Sequence, residues 1–408
     1  MSAAQETVQF KPEDAMMPDA IAKRTRAGGM AALGLGAVLA GIGLFTDAHR
    51  FAFSYLTGFT WTLTIGLGAL IFILIMQLTR TGWSIAARRQ AEWITGVLPY
   101  AVLLFIPLYF FNQKFHVWEW TSPEMAHDEL LQKKTWWLSP NFFWGRAVLY
   151  FAVWLFLSRY MSAKSRRQDQ TGDPRLTHDM QKMAAPGVLL MALTLSAAAF
   201  DWIMSLMPHW YSTIFGLYIF SGGLVAALAL IILGTINLQR QGLYGKVSTV
   251  EHRHDLGKLM FGFTVFWTYI AFSQYFLIWY ANIPEETVFF RARGEGTWMI
   301  VSKLLVISHF VFPFIVLLPR TTKRHMLILG AMATWMLFAH YVDMYWLIMP
   351  VHSELGVGVT FANLMVDLGG VALPAGVLMF AISRRASSEP IFPVRDPRLA
   401  ETMRLEQL

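Results

Sequence analysis

The sequence predicts an all-α integral membrane protein with ten transmembrane helices. Three observations predict it. Hydrophobic types make up 55% of the 408 residues and charged types only 14%, against about a quarter charged in a soluble globular protein. Ten stretches are apolar over the roughly 20 residues that a helix needs to cross about 30 Å of hydrocarbon. The Lys and Arg residues fall overwhelmingly between alternate stretches, 25 on the side of the N-terminus and 6 on the other, with Arg146 and Lys303 inside stretches. This asymmetry makes the terminal side cytoplasmic and supports an even number of crossings.

In chain order, residues 1–26 form a polar cytoplasmic arm. Lys23, Arg24 and Arg26 precede an apolar run, but no small-residue cleavage site follows, so the segment does not read as a signal peptide. The spans lie near 27–45, 51–78, 91–112, 141–162, 184–206, 211–238, 255–281, 295–319, 326–348 and 359–383, and make one membrane domain over 27–383. Pro99 and Pro107 in the third span, Pro313 in the eighth and Pro374 in the tenth each remove a backbone donor and permit a kink. The longest outer loop, 113–140, holds Trp118, Trp120, Trp136 and Trp137, a spacing that suggests segments lying at the lipid–water boundary. The tail, 384–408, is polar and proline-containing, and reads as draped over a partner or loose.

The composition excludes an ordinary soluble enzyme, a disordered chain and a nucleic-acid binder. With no cysteine, the chain cannot form disulfides, ligate an iron–sulfur cluster, build a thiolate zinc site or attach haem c covalently. No phosphate loop, nucleophile–base motif or metal cluster at ligand spacing is visible; His252 and His254 alternate at a helix start, a weak metal signal. A haem held by two His needs imidazoles at matching depth. Only His309 and His340 are deep, and they differ by about 7 Å.

Charges inside spans are costly and therefore informative. Counting residues from the outer ends of the helices places Asp201, Arg146, Lys303, His340, Asp343 and Asp367 at one depth, roughly 8–12 Å below the outer surface. His340 and Asp343 share a helical face, as do Asn363 and Asp367. The set points to one outer polar cavity serving as a proton or quinol pathway. The alternative is that Arg146 and Lys303 neutralise the aspartates as structural pairs, with Asp201 at the interface beside Pro208 and His209. On the inner side, Glu92 opens the third span, and His254, Asp255 and Lys258 open the seventh. With His309 near mid-membrane, two proton half-channels are one pattern these residues fit. For Glu92, Asp255 and Lys258 taken singly, interfacial snorkelling is the plainer account.

Two stretches are distinctive, DWIMSLMPHWYSTIFGLYIFSG from Asp201 to Gly222 and HDLGKLMFGFTVFWTYIAFSQYFLIWYANIPEET from His254 to Thr287. They resemble the second NrfD-like membrane subunit of alternative complex III, a bacterial quinol:cytochrome c oxidoreductase, and the resemblance extends over the ten spans. It implies two four-helix bundles, from spans 2–5 and 6–9, flanked by spans 1 and 10. It implies a place in the bacterial inner membrane and no redox metal in this chain. It implies a homologous NrfD-like sister subunit, an iron–sulfur subunit, multihaem and monohaem c-type cytochromes, small membrane subunits and lipids as partners. Quinone binding belongs to the family, although the sister subunit is expected to hold the site nearest the iron–sulfur clusters. The proton pathway carries over to Asp201, His209, His340, Asp343 and Asp367. The competing functional class is an autonomous secondary transporter, for which ten spans and buried charges would also serve; a pure assembly scaffold is the third.

Overall fold

A computed structural model describes residues 10–245, 247–353, 358 and 360–405. The first nine residues of the arm, Lys246 and the last three residues of the tail lie outside the described residues. Among those described there are no strands. Ten helices are long and apolar enough to span a membrane: α1 (Asp19–Thr46), α2 (Ala48–Leu78), α3 (Ile85–Phe115), α4 (Pro140–Thr171), α5 (Pro174–Leu206), α6 (Phe215–Arg240), α7 (Val250–Ala281), α8 (Trp298–Leu317), α9 (Met326–His352) and α10 (Phe361–Ala386). The chain is a multi-pass membrane protein.

Helices α2 and α6 are strongly apolar and the most enclosed of the ten, as expected of helices that touch protein on every side. They pack against each other at the centre. Helices α3, α4 and α5 complete one bundle with α2, and α7, α8 and α9 complete another with α6. Glycines let the central pair approach: a Cβ at Gly68 would run into the Gly223 carbonyl, and one at Gly223 would meet the Thr64 carbonyl oxygen at 2.8 Å.

Outside the two bundles, α1 and α10 pair along most of their length. Buried Gly29, Gly36 and Gly43 repeat every seven residues on α1, facing Ser383, Ala372 and Val366. Gly369 and Gly376 of α10 return the fit against Leu39 and Ala32. A Cβ at Gly36 would collide with the Ala372 carbonyl, which is backbone and cannot rotate away. Gly36→Val should therefore force α1 off α10 and lower stability by about 1–3 kcal/mol. Thermal unfolding of the purified protein reads this, and an unchanged midpoint would contradict the packing.

Two expectations change. Of the four loop tryptophans, only Trp136 is exposed. Trp118 donates to the Trp202 carbonyl at 3.2 Å, Trp120 to the Ser205 hydroxyl at 3.3 Å and Trp137 to Asp201 at 2.8 Å. The loop closes the end of the first bundle, because each of these three indole N–H groups finds an acceptor inside. The described part of the tail packs on the chain itself. Ile391, Phe392, Val394 and Leu399 are buried on the chain's own face, Ile391 N–H donates to the Ala15 carbonyl at 2.8 Å, and Phe392 stacks edge-on against Phe10 at 5.3 Å. Both described ends thus share one face, called the terminal face below.

Candidate functional site

Three intramembrane aspartates have three separate environments. Asp201 of α5 is fully buried and receives a two-pronged grip from Arg146 of α4, Nε to Oδ2 and Nη2 to Oδ1, each 2.8 Å. Tyr150 and Trp137 add donors at 2.8 Å. The Arg146 guanidinium also lies 4.1 Å from the centre of the Trp137 ring. Asp367 of α10 is gripped in the same way by Arg50 of α2, at 3.0 and 2.7 Å, with Tyr345 at 3.0 Å and the Ser54 hydroxyl as further donors. Each carboxylate has a permanent countercharge and saturated oxygens.

Asp343 of α9 differs. Its Oδ1 accepts from the Tyr218 hydroxyl and its Oδ2 from Trp267 Nε1 at 3.2 Å. It pairs with no Lys or Arg among the described residues; the basic side chain at pairing distance is His340, with Nδ1 3.9 Å from Oδ2. His340 Nε2 meets the Thr64 hydroxyl of α2 at 2.9 Å. His309 of α8 lies flat on Trp267, ring centres 3.7 Å apart. All three side chains are completely buried.

Local sequence explains how α6, α8 and α9 converge here. Gly222 lets α6 come close: a Cβ there would sit 3.1 Å from His340 Nδ1 and 3.4 Å from Asp343 Oδ2. Helix α8 widens into a π-turn, Ile307–Val311, just before Pro313. Proline cannot donate to the ladder, and wide turns of this kind recur at functional positions. The turn contains His309.

The structure thus divides the one outer cavity expected from depth into three sites, around Asp201, Asp367 and Asp343, each with its own donors. Depth along helices is one coordinate; the direction each side chain faces around its helix is the other. Arg146 is a structural pair for Asp201. Lys303 is exposed on α8 and neutralises none of the three aspartates. The countercharge of Asp367 is Arg50, which the sequence reading placed in an outer loop. His209 is on the surface, 2.9 Å from Asp128, and does not join the buried groups. Glu92 does not snorkel: it is buried between Arg88 at 3.4 Å and Arg89 at 3.0 Å, in a network with Asp169 and Asp396. His254 and Asp255 are buried in the first turns of α7, where Asp255 pairs with Lys258 at 2.6 Å.

The depth estimate also kept His309 and His340 apart, yet these two and Asp343 each bring a ligand-type atom within 4.8 Å of one another. Residues of these types can hold a transition metal. Both Asp343 oxygens already accept hydrogen bonds, however, and His340 Nε2 is engaged by Thr64. Within this cluster the polar atoms left without a hydrogen-bond partner among the described residues are His340 Nδ1 and both nitrogens of His309. A neutral imidazole has one basic nitrogen and one N–H, so it can take a proton on one side and pass one from the other.

Tyr218, Trp267 and Thr64 were missed by sequence reasoning because aromatic and Thr residues in spans carry no distinguishing pattern. Arg293 was missed for another reason. It was counted as a loop cation, but it is buried beside Phe289 and Trp346 on the short helix Pro284–Gly294, donating to the Phe289, Trp346 and Leu347 carbonyls at 2.8–3.0 Å. Burial pulls its guanidinium down to about 9, so it stays a cation at neutral pH.

The chain matches no family model, and no curated protein matches it.

Proposed function

We propose that this chain is a proton-carrying membrane subunit of a quinol:cytochrome c oxidoreductase complex, with Asp343 as the group that takes up and releases the proton. One observation carries the reading. Of Asp201, Asp367 and Asp343, the first two are clamped by arginines, and Asp343 faces, among the described residues, uncharged donors and two imidazoles. A carboxylate left without a countercharge in a water-poor interior is costly, and a proton is the charge that balances it there. Neighbouring His340 and His309 supply the next acceptors, and Thr64 links the pair to the central helix.

The assignment to a redox complex rests on the resemblance of the two stretches at 201–222 and 254–287. The lipid-facing side of α7 suits burial among partners: Phe272, Trp279 and Tyr280 are 60, 61 and 76% exposed. The partners on this reading are the NrfD-like sister subunit, the iron–sulfur subunit and the c-type cytochromes. The terminal face is cytoplasmic on the charge rule. An apolar cleft of about 190 Å³ between α2, α5 and α6, lined by Ile71, Leu195 and Phe220 among others, gives a quinone tail a lateral opening.

Purification from native membranes in mild detergent tests the assembly. The chain should co-elute with c-type haem and an iron–sulfur protein; a lone, haem-free protein would overturn this half of the reading and favour the transporter. Metal analysis of the same material tests the site. One bound transition-metal ion per chain, lost in His309→Ala, would make the cluster a metal centre instead of a proton relay.

A further inference from the structure

A cavity of about 420 Å³ opens at the terminal-face end of α4 and α10, lined by Arg159, Ser162, Arg166, Arg384, Arg385 and Glu389 among others. Four guanidinium groups meet one carboxylate. Arg166 and Arg385 share that carboxylate, reaching the same Glu389 oxygen at 3.2 and 3.1 Å. Arg384 donates to the Tyr100 hydroxyl at 2.7 Å. Neither Arg384 nor Arg159 has a carboxylate partner among the described residues. The walls therefore carry an excess of three positive charges.

A second, independent observation comes from the cavity wall. Ser162 is 3% exposed, yet its hydroxyl has no hydrogen-bond partner among the described residues. A buried hydroxyl without a partner is unusual, and one on the wall of a basic cavity fits an acceptor that belongs in it. The second oxygen of Glu389 is also unpartnered. It is an acceptor and adds nothing to anion binding, so the positive excess decides the sign of the ligand.

Depth and shape identify the source of the anion. Arg159 is the first charged residue on α4 after Arg146, and Arg384 the first on α10 after Asp367. Both therefore mark the level where these helices leave the hydrocarbon, which is the level of lipid headgroups. From Arg159 an apolar groove continues toward the membrane interior along α4, past Phe156, Leu155 and Ala152. Ala152 to Arg166 spans about 20 Å of helix, the reach of a headgroup and most of an acyl chain. A soluble phosphate would use the cavity but not the groove.

We propose that this cavity binds the headgroup of an anionic glycerophospholipid, its phosphate held by Arg159, Arg384 and the Ser162 hydroxyl and one acyl chain lying along α4. The inference stands apart from the proton reading and survives its failure.

The test uses the full chain, purified and stripped of lipid in detergent. Its thermal midpoint is followed on adding phosphatidylglycerol, phosphatidylcholine or inorganic phosphate. Phosphatidylglycerol should stabilise the protein, and the other two should not. Each arginine at an anionic lipid surface is worth about a fivefold factor, so Arg159→Gln with Arg384→Gln should weaken binding roughly 25-fold. Both side chains are exposed, so the variant should fold. If it does not, Leu155→Trp, which fills the groove, should remove the preference for the lipid by itself. Arg291→Gln, an exposed change on the helix Pro284–Gly294, should leave binding unaltered. Equal stabilisation by phosphatidylcholine would overturn the proposal. Equal stabilisation by inorganic phosphate would assign the cavity to a free anion and overturn the lipid source. Retention of phosphatidylglycerol-specific stabilisation by a folded double variant, or by Leu155→Trp, would also overturn it.

Discussion

Asp343→Asn is expected to stop proton movement while leaving the ten helices assembled. Asparagine has nearly the same shape, and its amide can still meet the Tyr218 hydroxyl, one of the two donors now on the carboxylate. Because no Lys or Arg among the described residues pairs with Asp343, the change strands no cation there. The structural cost should be that of an altered hydrogen bond, about 1 kcal/mol. What disappears is the exchangeable proton. Loss of a positioned acid–base group lowers rates by on the order of 10²-fold or more. In vesicles containing the protein with its co-purifying partners, dye-reported proton movement should fall by that order, with fluorescence-detected elution unchanged. Full proton movement in a folded Asp343→Asn protein would end the relay reading.

Arg146→Met should have the opposite character, a large loss of stability. It leaves Asp201 fully buried with Tyr150 and Trp137 as donors but no countercharge. Breaking a buried pair from one side costs about 3–5 kcal/mol. Adding Asp201→Leu to Arg146→Met should recover most of the loss, since the charge that had been stranded is then gone. Arg50→Met at Asp367 should behave in parallel. Unfolding in denaturant, with yield from membranes as a second readout, measures all of these. A loss below about 1 kcal/mol for Arg146→Met would mean that water reaches Asp201.

The number of helices and the class of fold were legible because hydrocarbon thickness imposes a length that the chain cannot hide. The importance of Asp343, His340 and His309 was legible too, since deep polar residues are rare. Their grouping was not. Equal depth suggested that Asp201, Asp343 and Asp367 share a cavity, whereas each points toward a different neighbour. Unequal depth separated His309 from His340, whereas the close approach of α6 at Gly222, the widened turn in α8 and the reach of two imidazoles bring them together. Arg50 and Arg293 looked like solvated loop cations from their place in the chain. Both turn inward, Arg50 to a carboxylate and Arg293 to helix-end carbonyls. Lys303 looked buried by position and faces outward. Residue type and depth were readable; azimuth was not.

The pairing of α1 with α10 has a consequence for how the protein is made. α1 emerges from the ribosome before the other nine spans and α10 after them, yet the glycine face of one is built for the other. During synthesis that face must wait in lipid or against a temporary neighbour until α10 is inserted, because contacts between distant parts of a chain form late. Closure by α10 thus covers the seam: a chain that stops after α9 leaves the glycine face of α1 without the helix it is shaped to meet.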